Sequence, residues 1–101
     1  MLFLVTAQIG DDDETRARHR GLRPQQFELV RRWAETGVMR FGGAILDQAG
    51  AQSGSVAIVE FETRADLDRW MSKHPYVVNG VWKDIDAREV QAAPIFSRRT
   101  A

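Results

Sequence analysis

The sequence predicts an α+β fold, a ferredoxin-like βαββαβ sandwich with one antiparallel four-stranded sheet. Three observations predict it. Apolar runs without helical spacing stand near residues 2–8, 38–46, 54–62 and 81–90. Segments with apolar residues at helical spacing separate the first run from the second and the third from the fourth. Only a short polar link, Asp47 to Ser53, joins the second and third runs, which reads as a hairpin. Both helices then share one sheet face. The other face is left bare, so a second copy of the chain is its expected cover, giving a dimeric α/β barrel.

Each element has its own signals. Leu2 to Gln8 is a short apolar run that reads as a strand buried on both sides or nearly so. Gly10 and the acids Asp11 to Glu14 stop it, and acids suit the first turn of a helix. Pro24 is expected to interrupt or restart that helix. From Pro24 to Thr36, Phe27, Val30 and Ala34 form the predicted inner face, with Gln26, Leu29 and Trp33 beside it. Gly37 fits a helix C-terminus. Val38 to Leu46 is the second strand, where Gly42-Gly43 suggests a bulge or a close backbone approach. Gly54 to Glu62 is the third.

Thr63 then reads as an N-cap, with Asp66 in the position of a shortened capping-box acid. Leu67, Trp70 and Met71 mark the inner face of the second helix, which should end before Pro75. In the fourth strand, Val81 to Val90, alternation puts Val81, Ile85 and Ala87 on one face and Trp82 and Val90 on the other. Residues 1–96 are expected to form one domain, followed by a short tail, 97–101.

Composition narrows the function. The chain has 101 residues, formal net charge +0, no Cys and two His. A balanced charge gives no electrostatic case for nucleic acid or for a membrane surface. Without Cys, thiolate nucleophiles and Cys-based metal sites are excluded. The opening Met1 to Val5 lacks the basic flank and length of a signal peptide, and no stretch reaches the length of a membrane span. A cytoplasmic protein is expected. The Asp11–Glu14 run with His19 lacks a calcium-loop pattern, and one His does not make a zinc site, so no metal is expected. Gly42-Gly43 is not a phosphate loop, and no cofactor is expected. No serine-hydrolase elbow is present.

Histidine is the side chain best suited to proton transfer near neutrality. His74 stands in His74-Pro75-Tyr76, where a helix should end, and is the first candidate for such chemistry. The plain alternative is an imidazole hydrogen-bonded at a helix terminus.

Several stretches together resemble the YciI-related (YCII) family of small dimeric α/β-barrel proteins. They are Met1 to Gln8, Arg23-Pro24-Gln25-Gln26-Phe27, Gly37, Gly42-Gly43, Gly54-Ser55 and His74 to Val81, in the family's order and with similar spacing. The resemblance implies a face-to-face dimer and a pocket between sheet and helices that carries a His–Asp pair. It also implies hydrolytic or lyase-like chemistry, such as dehydrochlorination of an aromatic breakdown product. In the family the His follows Arg-Pro-x, and the Asp opens an Asp-Pro-Tyr/Phe tripeptide. Here Gln26 and His74 hold those places.

The resemblance therefore implies a pocket with His74 as base or acid, Gln26 as its orienting partner and Tyr76 as an auxiliary donor. Arg23 and Ser55 would hold a small anionic substrate. Two outcomes stay open: a re-tuned enzyme, or a binding or accessory protein that keeps the pocket without the His–Asp pair. A purely structural module is a third.

Overall fold

The computed structural model describes residues 1–97. Its elements are β1 (Leu2–Ile9), α1 (Asp13–Glu35), β2 (Met39–Leu46), β3 (Gln52–Glu60), α2 (Arg64–Lys73), α3 (Pro75–Val78), β4 (Trp82–Val90) and α4 (Pro94–Ser97). The strands form one sheet in the order β2-β3-β1-β4, with every neighbouring pair antiparallel. This is the predicted α+β sandwich. Apart from Ser97, the expected tail lies outside the described residues.

Alternation along the strands builds the core. Phe3, Val5 and Ala7 of β1 and Ala57 and Val59 of β3 are buried beneath the helices. Leu67 of α2, Val81, Tyr76 and Trp82 complete that layer. Full burial of a side chain such as Phe3 or Leu67 contributes about 1.5–3 kcal/mol. The opposite face is bare within one chain: Leu2, Leu4 and Thr6 are only partly buried, and Phe41 is 56% exposed. The expectation that the first strand is covered on both sides therefore holds only for its helix-facing residues.

Both expected helix caps form. The Thr63 side chain accepts from the Asp66 N–H at 3.1 Å, while the Asp66 carboxylate turns to Arg69. Gly37, with φ +85°, follows the C-cap Thr36. At the other end of α1, Asp12 caps the helix through Thr15, whose hydrogen bonds hold the Asp12 carboxyl below its ordinary pKa.

Three expectations are corrected. Pro24 neither breaks nor restarts α1, which runs unbroken for 23 residues. Pro24 and Arg20, whose carbonyl loses its N–H partner to the proline, are both exposed, so water can satisfy that carbonyl. The inner face of α1 is not Phe27 and Ala34: Phe27 is 65% exposed and Ala34 is exposed. Thr15, His19, Leu22, Gln26, Val30 and Trp33 form it instead, at helical spacing through the whole length.

The fourth strand does not alternate as read. Its register against β1 shifts between Thr6 and Gln8, and Asp84 takes φ +50°. This bulge reverses the facing, so Trp82, opposite Ile9, and Ala87, opposite Val5, lie on the same face. In the second strand the bulge falls between Met39 and Phe41, just ahead of the glycine pair. A β-carbon on Gly42 would meet only the Met39 side chain, with Sδ at 2.9 Å, so of the two expected features the bulge is present and no backbone crowds the glycine pair.

Candidate functional site

The site lies where α1 crosses the sheet beside the turn between α2 and β4. Pro75 prevents α2 from continuing, and the chain makes a second, four-residue helix, α3. His74 caps it: its Nδ1 accepts the Tyr76 N–H at 3.2 Å. The plain reading of His74 as a terminus imidazole is thus part of the answer.

The ring also turns inward. Only 1% of His74 is exposed. It stacks on Trp82 at 4.3 Å between ring centres and meets Trp70 edge-on at 5.1 Å, Trp33 at 5.4 Å and Tyr76 at 5.7 Å. All three tryptophans of the chain surround this one imidazole. Its Nε2 faces Gln26 Nε2 at 3.2 Å, and Gln26 is itself only 6% exposed.

Hydrogen-bond chemistry fixes what this pair is. Because Nδ1 accepts from Tyr76, a neutral His74 carries its proton on Nε2. Two N–H groups cannot bond to one another, and Gln26 Oε1 as it stands is buried without a partner. A half-turn of the amide sets Oε1 against the His74 Nε2–H and satisfies both. The amide NH₂ of Gln26 is then the group left over. Burial alone pushes His74 down to a pKa of about 4, with no carboxylate to oppose it. The ring is neutral at pH 7 and, as wired, donates rather than accepts at Nε2.

Gln26 and His74 line a hollow of about 310 Å³ together with Arg23, Ser55 and Tyr76. All five candidates from the sequence meet there. Arg23, one turn before Phe27 on α1, makes no hydrogen bond or ion pair among the described residues. Ser55 Oγ accepts the Trp82 Nε1–H at 3.2 Å, which leaves its own O–H free to donate. Gly54 lets β3 approach β1 here, since a β-carbon on it would lie 2.4 Å from the Ala7 carbonyl oxygen. Burial raises the Tyr76 hydroxyl pKa, with Arg23 opposing, so it remains protonated and able to donate. Trp33 and Trp70 pack around His74, whereas Trp82 also lines the hollow.

Besides Gln52, a polar lining residue absent from the sequence candidates is His19. The acids and arginines around it suggested a solvated helix start. The available signal was spacing, since His19, Arg23 and Gln26 recur at i, i+4 and i+7 and so share a helix face. A larger, more open hollow of about 1170 Å³ adjoins the first and shares His19, Arg23 and Gln52 with it. Among the described residues, no three His, Asp or Glu side chains cluster as a metal site. No helix among them is long and apolar enough to cross a membrane.

A helix-over-sheet sandwich with a small, largely apolar hollow under its first helix defines a class of compact α+β domains. The chain belongs to the YCII-related domain family, whose sequence model matches residues 1–91. Among solved structures it is similar to 5-chloro-2-hydroxyhydroquinone dehydrochlorinase (TftG) from Burkholderia phenoliruptrix AC1100, in complex with 2,5-dihydroxybenzoquinone. The match has a TM-score of 0.78 at 14% identity and covers 92% of this chain and 96% of that one. No curated protein matches the chain.

Proposed function

We propose that this protein is a YciI-like enzyme that removes a proton and a leaving anion from a small anionic organic molecule. One observation carries the reading: Arg23, Gln26, Ser55, His74 and Tyr76 converge on a single hollow, with Gln26 and His74 3.2 Å apart. Arg23 binds the anionic group by charge-assisted hydrogen bonds. The Gln26 amide, held by His74, and the Ser55 and Tyr76 hydroxyls donate to the ligand's oxygens. A pocket imidazole takes the proton. The electron pair of the broken bond forms a new π bond, and the leaving group departs as an anion with its own bonding pair. The imidazolium then returns its proton to water. Membership in the YCII family and the likeness to a dehydrochlorinase support this class of step.

The test is chloride release from 5-chloro-2-hydroxyhydroquinone. Release above the uncatalysed rate, lost in Gln26→Leu, is expected. Binding of 2,5-dihydroxybenzoquinone in the hollow with no release would favour the second reading, a ligand-binding protein. That reading has its own support, since both nitrogens of His74 are engaged and no carboxylate pairs with it. Failure to bind there at all would contradict both.

A homodimer forms part of the proposal. Phe41, Ile58 and Leu4 stand in one row across the uncovered sheet face, and a second copy packed there would remove them from water. Sedimentation should give twice the 11.4 kDa chain mass, and Phe41→Glu should reduce it to one. A monomeric wild-type protein at micromolar concentration would contradict this.

A further inference from the structure

We propose that His19, rather than His74, is the imidazole that accepts the proton in this pocket, acting on an anionic ligand held beside it by Arg23. The inference rests on reading the hollow as a small-anion site. Geometry separates the two rings. His74 is sealed, and both its nitrogens are occupied. His19 is half-buried and lines both hollows, and neither of its nitrogens has a hydrogen-bond partner among the described residues. Its ring stands edge-on to Tyr76 at 5.1 Å, which fixes its plane and leaves its nitrogens available. Arg23 follows one turn later on the same face, and Gln26 two turns later.

The chemistry is that of a base awaiting its ligand. Burial, and then Arg23, hold His19 below its ordinary pKa, which favours the neutral ring at pH 7. An anion on Arg23 offsets that cation's repulsion and raises the ring's affinity for a proton. The other charges around the adjoining hollow are Arg16 and Arg20 on α1, with Asp11, Asp47, Lys83 and Asp84 on the strand ends and loops opposite. They bring mixed sign to the rim. Proton transfer to His19 makes the ring cationic beside a bound anion, which is the favourable direction.

Calorimetry with 2,5-dihydroxybenzoquinone, run in two buffers of different ionisation enthalpy, counts the protons taken up on binding. Amide shifts of Gln26 and Ser55 report where the ligand sits. Expected are shifts at those amides and net proton uptake in the wild-type protein, with the shifts kept and the uptake abolished in His19→Gln. Shifts at the hollow with no uptake, or with uptake equal in the variant, would overturn the role of His19 and leave the pocket reading standing. Absence of shifts at the hollow would overturn the pocket reading and this inference with it.

Discussion

Acid should unfold this protein through His74. Unfolded, the ring takes a proton near its ordinary pKa of 6.5; folded, it resists until about 4. Between those values the unfolded state binds more protons, so stability falls as pH falls and levels off below the folded pKa. A shift of this size corresponds to a loss on the order of 3 kcal/mol. Two physical causes act together: the aromatic wall desolvates the charge, and a proton on Nδ1 would abolish the cap on the Tyr76 N–H. Urea unfolding followed by tryptophan fluorescence from pH 7 to 4 measures the loss. His74→Asn is the control, because an Asn side-chain oxygen can still cap Tyr76 but does not titrate. The wild-type curve should fall more steeply than the variant's. Parallel curves would contradict the burial of an uncharged ring.

Replacing Arg23 by Ala should weaken binding of 2,5-dihydroxybenzoquinone by roughly 10- to 100-fold, the scale of one or two charge-assisted hydrogen bonds. Stability should change by less than about 0.5 kcal/mol, because Arg23 is exposed and makes no ion pair among the described residues. Arg23→Lys should recover only part of the affinity, since a point charge cannot present the planar fork of a guanidinium. Titration calorimetry reads the affinities and thermal unfolding the stability. Affinity unchanged in Arg23→Ala would remove the anion-holding role.

Much of the architecture was legible because local signals agreed with one another. Thr63, Gly37 and the polar link before β3 each mark an element end, and the βαββαβ succession follows from runs with and without helical spacing. The failures have local causes. Pro24 sits on the solvent side of α1, where a missing hydrogen bond costs little. The bulge at Asp84 reverses the facing of Trp82, and no side-chain pattern announces a single inserted residue. Helix α3, at four residues, is too short to show a period.

At the site, convergence of Gln26 and His74 was legible only through the family resemblance, because 48 residues separate them. The tautomer was not legible at all, since it depends on the Tyr76 N–H. His19 was hidden by its charged neighbours. Its position became meaningful only when α1 proved continuous through Pro24, which carries one helix face from Thr15 to Trp33.

His74 is a neutral ring, locked with its proton on Nε2, that holds Gln26 in place. The chain has only two histidines, so the ¹⁵N spectrum of the imidazole nitrogens tests it without ambiguity. At pH 6, His74 should show a protonated Nε2 and a bare Nδ1. A His74 ring that is charged at that pH, or that carries its proton on Nδ1, would contradict the account.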